Sequence, residues 1–210
     1  MALIKPDAQQ RQSATLPRQM PNPEGRQEDC LQMNYHPQGL MNLRNSVDVN
    51  KIISRHFGTA LPQEANRFSV SGNRRALWLG PDESLLMCAD QDASELHRTL
   101  STQLTDQHFQ LTLLSDALAV YELNGPYVRE ILAKGCALDL HVSVFQPGQC
   151  AQSSLDRASV TLMCEGENSF RLICRTSFAD YVETWLKDAC LLYTSPSPRD
   201  KTVSRMPSSA

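Results

Sequence analysis

Residues 117–136, ALAVYELNGPYVREILAKGC, place a strand, a turn and a helix in direct succession. The first part, ALAVYEL, has the length and the apolar content of a strand that packs in a core. The NGP sequence at 124–126 then turns the chain, and proline suits the first turn of a helix because it has no backbone N–H to satisfy. An apolar helix face follows at 128–132, and Gly135 stands where the helix is expected to end. The stretch therefore predicts a strand followed at once by a short helix.

The same two patterns recur on both sides of this stretch. Helices are predicted at 48–57, 93–104 and from Ser177 onward. Strands are predicted at 68–71, 75–79, 83–88, 109–113, 160–164 and 170–174. Glycine-containing turns separate the neighbouring strands between 68 and 88, as in an antiparallel meander. Because hairpins interleave with helices, the sequence predicts an α+β fold, an antiparallel or mixed sheet with helices packed on it.

The composition is that of a globular protein and argues against several functional classes. Hydrophobic residues make up 41% and charged residues 20% of the 210-residue chain. No apolar run approaches the roughly 20 residues that span a bilayer, and the N-terminus lacks the apolar segment of a secretory signal. The lysines and arginines are scattered and the net charge is −3, which argues against a nucleic-acid surface. We therefore expect a cytoplasmic protein whose seven cysteines are free thiols.

The two ends of the chain differ from the part between them. Residues 1–40 are polar without a sustained period, which predicts an extended or disordered arm. Cys190 to Asp200, CLLYTSPSPRD, back-translates into a transposase-type sequencing adapter, and SRMPSSA at 204–210 fits the constant end of that adapter in the same frame. We therefore expect residues 190–210 to be a translated, disordered artefact and the domain to span 41–189. Outside that tail, 17 basic and 22 acidic residues give a net charge of −5.

Two stretches carry candidate chemistry. Lys134 could lower the pKa of the Cys136 thiol and make it reactive, although a lysine in the last turn with a glycine after it is also an ordinary helix end. Cys136 and His141 could bind a metal, but no HxxxH, CxxC or carboxylate–His spacing accompanies them. The chain has no GxGxxG dinucleotide motif, no P-loop and no GxSxG nucleophile motif. The residues therefore predict no catalytic, cofactor-binding or metal site.

Four arginines and one tryptophan are candidate binding residues. We expect solvated surface charge, rather than anion binding, at four arginines: Arg44, Arg74, Arg75 and Arg129. Trp78 lies between two leucines in a predicted strand, so it is either a core residue or an anchor for a partner, and burial is the commoner outcome. Taken alone, the residues describe a cytoplasmic α+β domain without a catalytic constellation.

Four segments, in matching order and spacing, resemble the gamma subunit of heterotetrameric sarcosine oxidase. They are LWLGPDESLL at 77–86, LAVYELNGPYVREILAKGCALDLH at 118–141, FQPGQCAQSSL at 145–155 and FADYVETWLKDA at 178–189. The resemblance covers most of the chain from residue 43 to residue 189. The family is itself similar to the folate-binding domain of glycine-cleavage aminomethyltransferases, in which strand, Gly-Pro turn, helix and KGC-type turn recur.

The resemblance implies a complex of alpha, beta, gamma and delta subunits that oxidises the N-methyl group of sarcosine with O2. The products are glycine, hydrogen peroxide, and formaldehyde or 5,10-methylenetetrahydrofolate. In such complexes FAD, FMN, NAD and folate belong to the alpha and beta subunits, and zinc belongs to the delta subunit. The gamma subunit resembles a folate domain in fold only, so the implied role of this chain is structural and non-catalytic, with no cofactor, nucleic acid or membrane of its own.

Two residues depart from the family pattern, and one alternative function stays open. Asn45 stands where glycine is expected after Leu-Arg, and Ser84 stands where a bulkier residue is usual, which concerns a local turn and the packing of a strand. The alternative is a stand-alone folate-binding protein of the aminomethyltransferase superfamily, such as its iron–sulfur repair branch. That branch has a tyrosine, one variable residue and GQE after KGC, whereas ALDLH follows Cys136 here.

Overall fold

The computed structural model describes residues 30–194, which form ten strands and four α-helices. The strands are β1 Gln32–Tyr35, β2 Gln38–Asn45, β3 Phe68–Ser71, β4 Arg74–Gly80, β5 Glu83–Ala89, β6 Phe109–Leu113, β7 Leu118–Asn124, β8 Cys150–Leu155, β9 Ala158–Gly166 and β10 Ser169–Arg175. The helices are α1 Asn50–His56, α2 Ala93–Gln103, α3 Val128–Ala133 and α4 Ala179–Thr194. Short 3-10 turns, Asp90–Asp92 and Thr176–Phe178, lead directly into α2 and α4.

The strands form two five-stranded antiparallel sheets that share one topology. The first sheet has the order β3-β4-β5-β2-β6, and the second has the order β8-β9-β10-β7-β1. Each sheet therefore contains a strand, a helical crossover and a three-stranded meander, with a fifth strand added beside the first. That fifth strand is β6 beside β2 in one sheet and β1 beside β7 in the other. The predicted α+β class is confirmed, and the duplicated topology is a further finding.

Both faces of each sheet are buried, which gives the domain four layers. The apolar layer between the sheets consists of Leu40, Leu77, Leu85, Met87, Val120, Cys150, Met163 and Ile173. On the outer face of the first sheet, α1 and α2 contribute Ile53 and Leu100 to a second apolar cluster. On the outer face of the second sheet, α3 and α4 contribute Ile131 and Leu186 to a third. The layer order is thus helices, sheet, sheet, helices.

The stretch at 117–136 forms β7, a turn and α3, as its sequence predicts. At the turn, Gly125 has a φ of +153°, and a Cβ on it would lie 2.6 Å from the carbonyl oxygen of Cys30. This approach brings the chain into β1 beside β7. Glycine is therefore required here by contact with a neighbouring backbone, as well as by the turn.

Gly135, which follows α3, does not end the helix as its position in the sequence predicts. Lys134 ends α3 in a right-handed conformation, and Gly135 is not among the residues with positive φ. The helix therefore does not end through a left-handed glycine. A Cβ on Gly135 would instead overlap the Trp185 ring of α4, so this glycine lets α4 pack closely against the end of α3.

The structure moves both predicted boundaries of the 41–189 domain. β1 and the first residues of β2 belong to the predicted arm, and Leu31 and Met33 are buried in the core. At the other end α4 continues past Ala189 to Thr194, because helix growth is cooperative and no helix breaker intervenes. The predictions for residues 1–29 and 195–210 lie outside the described residues, and the adapter origin of the tail stays a prediction.

The two residues that depart from the family pattern are accommodated locally. Asn45 Nδ2 donates to the carbonyl oxygen of Val47 at 2.7 Å, which closes the turn after β2. Ser84 is buried on β5, opposite Trp78 on β4 and Leu43 on β2. A polar turn and a small buried side chain thus replace what the family pattern suggests, without loss of the strand pairing.

All seven cysteines are free thiols. Cys88, Cys150 and Cys174 lie one in each of the three apolar clusters. Burial raises the pKa of each of these thiols from 9 to about 11, since the charged thiolate is disfavoured in an apolar surrounding. They act as small apolar core residues.

We expect the free energy of unfolding to fall as the pH rises from 9 to 11. A thiol with a pKa of about 11 in the folded chain keeps its proton while the unfolded thiol ionises near pH 9, so ionisation in this window favours the unfolded chain. The contribution of each thiol is complete below pH 9, and a two-unit shift corresponds to roughly 2–3 kcal/mol lost by pH 11. Urea unfolding followed by circular dichroism at stepped pH measures the fall. A Cys88→Ala chain should lose less stability over the same window; an identical fall in both chains would contradict the assignment.

Candidate functional site

The KGC turn after α3 is a packing junction. Lys134 Nζ donates to the carbonyl oxygen of Ala189 at 2.6 Å, which ties the turn to α4. Cys136 is buried, and its thiol lies 3.6 Å from Ser153 Oγ on β8. The lysine and the cysteine thus bond to different elements, an arrangement that favours a packing role over an activated thiol.

Arg129 is an internal anchor, so the prediction of a solvated surface charge is wrong for this residue. Its Nε donates to the carbonyl oxygen of Glu167 at 2.8 Å, and its Nη1 donates to those of Leu140 at 2.6 Å and Phe145 at 3.0 Å. The guanidinium also lies 4.9 Å from the centre of the Phe170 ring. Backbone carbonyls outside helices and sheets need a donor when they are shielded from water, and this arginine serves two partly buried carbonyls and one exposed carbonyl from one side chain.

Arg74 and Arg44 give opposite outcomes for the prediction of a solvated surface charge. Arg74 Nη1 donates to the carbonyl oxygen of Phe57 at 2.6 Å, so it caps the end of α1 and is not a free surface charge. Arg44 is exposed and pairs with Glu83 at 2.9 Å, as expected of a solvated arginine. Such an exposed pair contributes little to stability.

The remaining sequence candidates do not meet in one place. His141 Nδ1 lies 2.7 Å from Ser143 Oγ in the loop before β8, and Trp78 is half-buried near the end of β4. Within residues 30–194, no three His, Cys, Asp or Glu side chains come together in a way that could hold a metal ion. Among the helices in that range, none is long and apolar enough to cross a membrane.

Arg75 lines a cleft that no sequence motif predicts. A cleft of about 700 Å³ opens where the two sheets meet. It is lined by the β1–β2 connection at 36–38, the β3–β4 turn at 72–73, the end of β5 with the following turn at 89–91, and the side chains of Arg75 and Arg171. Both sheets therefore contribute to its walls.

A chain of ion pairs connects the two sheets at this cleft. Arg75 Nε donates to Glu165 Oε1 at 2.7 Å, and Arg171 Nε lies 2.9 Å from the same oxygen. Arg171 Nη2 lies 3.9 Å from Glu122 Oε2, which is 2.8 Å from His36 Nε2. The Arg75, Glu165 and Arg171 side chains are only 15%, 17% and 10% exposed. Charges at this depth require partners, and the alternating signs along the chain provide them.

The two arginines retain unused hydrogen-bond donors. The N–H of Arg171 Nε is not aligned with Glu165, so this buried donor has no hydrogen bond to the described part of the chain. The terminal guanidinium nitrogens of Arg75 and Arg171 likewise make no hydrogen bond within residues 30–194. The ion pairs thus hold two guanidinium groups at the cleft, and each group has N–H donors that make no hydrogen bond within residues 30–194.

Sequence reasoning missed the cleft because its parts lie on distant strands. Arg75 and Glu165 are 90 residues apart, and neither belongs to a motif. The available signal was a charged residue at an inward position of an otherwise apolar strand, as for Arg171 in SFRLICR. That signal becomes interpretable only when the pairing of the strands is known.

The fold is of the class found in the aminomethyltransferase of the glycine cleavage system. The enzyme from Bartonella henselae superposes with a TM-score of 0.54 at 13% identity, over 73% of this chain and 44% of that chain. The chain belongs to the sarcosine oxidase gamma subunit family, which matches residues 48–191. The resemblance seen in the sequence is thereby confirmed.

Relatives within the family cover about two thirds of the chain. The gamma subunit of sarcosine oxidase from Corynebacterium sp. (strain P-1) is 35% identical over 68% of this chain and 70% of its own length. The subunit from Arthrobacter sp. is 33% identical over 67% of this chain and 69% of its own length. A chain of the heterotetrameric sarcosine oxidase from Corynebacterium sp. U-96, solved with pyrrole 2-carboxylate, superposes with a TM-score of 0.73 at 28% identity. That match covers 79% of this chain and 86% of the solved chain.

Proposed function

We propose that this chain is a gamma subunit that assembles with alpha, beta and delta subunits into a heterotetrameric sarcosine oxidase, in which its own role is structural. The observation that carries the proposal is its likeness to a chain of such a tetramer over 86% of that chain's length. The match extends over most of a subunit rather than one shared motif, which supports membership of such an assembly.

The contacts of the candidate side chains support a structural role. Arg129, Arg74 and Lys134 each donate to backbone carbonyls of another element. Their charged groups therefore hold loops and helix ends in place. A scaffold fixed in this way presents its surface to partners with little loss of conformational freedom on binding.

In the proposed complex, sarcosine is oxidatively demethylated to glycine with O2, giving hydrogen peroxide and formaldehyde or 5,10-methylenetetrahydrofolate. The cofactors FAD, FMN, NAD, folate and zinc are bound by the partner subunits. The complex acts in the cytoplasm, and this chain contributes to its assembly.

We expect the full chain, carrying an affinity tag and produced together with the alpha, beta and delta subunits, to copurify with all three. The physical reason is that a subunit interface is large and partly apolar, so it survives dilution during purification. Gel densitometry of the eluate measures the recovery of each partner, and an unrelated tagged protein of similar size is the control. A lone, stable monomer that binds tetrahydrofolate tightly in calorimetry would overturn the proposal in favour of a stand-alone folate-binding protein.

A further inference from the structure

We propose that the cleft between the two sheets binds a small zwitterion of the amino acid class, with its carboxylate at Arg75 and Arg171 and its ammonium group at Asp90. All three residues line the cleft. The inference is independent of the proposed assembly, because every lining residue belongs to this chain.

The arginines supply the carboxylate end. A guanidinium presents its N–H groups as a planar fork that matches the two oxygens of a carboxylate. Arg75 uses only Nε in its hydrogen bond to Glu165, and Arg171 makes ion pairs without any hydrogen bond inside residues 30–194. The terminal guanidinium nitrogens of Arg75 and Arg171 are therefore the donors for a ligand carboxylate at the cleft.

The charges around the cleft favour a zwitterion over an anion. Glu165 and Glu122 already offset the charges of Arg75 and Arg171, so no net positive charge remains for a phosphate dianion. Asp90 adds a negative charge on the wall formed by the end of β5. A carboxylate can accept several hydrogen bonds at once, so Asp90 can receive an ammonium group in addition to the partner it has. A ligand with a carboxylate for the arginines and a separate cationic group for Asp90 matches this lining.

The ion-pair chain makes the site rigid before a ligand arrives. Glu165 is shared by Arg75 of the first sheet and Arg171 of the second, so the two guanidinium groups are fixed relative to each other. Because little side-chain freedom is lost on binding, a small ligand can bind in spite of its few contacts. The volume of about 700 Å³ lies within the range of small-molecule sites.

Three probes of similar size test the chemistry on the full chain. Free glycine carries both charges, acetate carries only the carboxylate, and methylammonium carries only the cation. Saturation-transfer NMR titrations should show glycine binding at least about ten-fold more tightly than either of the others, since each lacks one charge-assisted contact. Acetate that binds as tightly as glycine, or no glycine binding up to roughly 50 mM, overturns the proposal.

Two substitutions locate the binding in the cleft. Arg75→Lys keeps a positive charge beside Glu165 but removes the planar fork, so glycine and acetate should both bind about ten-fold more weakly. Asp90→Asn should weaken glycine about five-fold and leave acetate unchanged. Arg44→Lys, at an exposed pair with Glu83, is the matched control and should bind glycine like the unaltered chain. Thermal melts establish that each variant is folded. If Arg75→Lys does not fold, the glycine affinity of Asp90→Asn tests the proposal. An unchanged glycine affinity in a folded Arg75→Lys or Asp90→Asn chain overturns the proposal.

Discussion

Replacing Arg129 with methionine is expected to lower the free energy of unfolding by about 3–5 kcal/mol. Methionine keeps the apolar stem against Phe170 but removes the donors to the carbonyl oxygens of Leu140, Phe145 and Glu167. Hydrogen bonds from a charged group are stronger than neutral ones, and carbonyls that lose their donor while shielded from water add a desolvation cost. The loop before β8 should lose its order first.

Urea denaturation followed by tryptophan fluorescence and circular dichroism measures this loss. Arg44→Met is the matched control, because Arg44 makes one exposed ion pair and should change the free energy of unfolding by less than about 1 kcal/mol. If Arg129→Met lowered the free energy of unfolding no more than Arg44→Met does, Arg129 would be a solvated surface charge. Hydrogen exchange should show faster exchange in the loop that Arg129 holds.

Gly135→Ala is expected to lower the free energy of unfolding by about 2–4 kcal/mol. The added Cβ overlaps the Trp185 ring. The indole ring is rigid, so either the ring or α4 has to move away from the end of α3. The apolar contacts between the two helices would weaken as a consequence.

A double-mutant cycle isolates this contact. In a Trp185→Leu chain the ring is absent, so adding Gly135→Ala should cost less than about 1 kcal/mol. Gly166→Ala is the control for the intrinsic effect of the substitution, because a Cβ there meets Ser169 Cβ at an ordinary 3.5 Å. An equal cost of Gly135→Ala with and without Trp185 would show that backbone conformation, and not the ring, requires glycine.

Elements with a strong local signal were predictable from the sequence. The meander β3–β4–β5 follows from alternation with turns between the strands, and its boundaries agree within one residue. Helix α2 follows from Leu96, Leu100 and Leu104, which all lie in one apolar cluster. In these segments the local pattern and the final packing agree, as they must when one face of an element is buried against a core.

The missed elements depend on contacts between distant segments. Strand β1, QMNY, is short, and its place in the sheet comes from pairing with β7 about ninety residues later. The sequence CAQSSL of β8 is polar on one side, and no strand was predicted there. The duplicated topology and the cleft likewise arise from tertiary pairing, for which a single sequence has no local signal.

Neighbours along the chain do not reveal which groups a long charged side chain contacts. Arg129 and Arg75 are flanked by residues that suit a solvated charge, yet their side chains reach carbonyls and carboxylates from other elements. Long side chains bury their stems and carry their charged ends several ångströms from the backbone. The partners of these charged ends are therefore known only once the fold is known.

The central claim, that the chain is a structural subunit of a sarcosine oxidase, is tested most directly by the mass and composition of the assembly around it. Native mass spectrometry of the complex recovered through the tagged full chain, after production with the alpha, beta and delta subunits, gives both. We predict one copy of each of the four subunits, with sarcosine-dependent formation of hydrogen peroxide in the same fraction. A tagged chain recovered alone, while the other three subunits form an active complex without it, would contradict the claim.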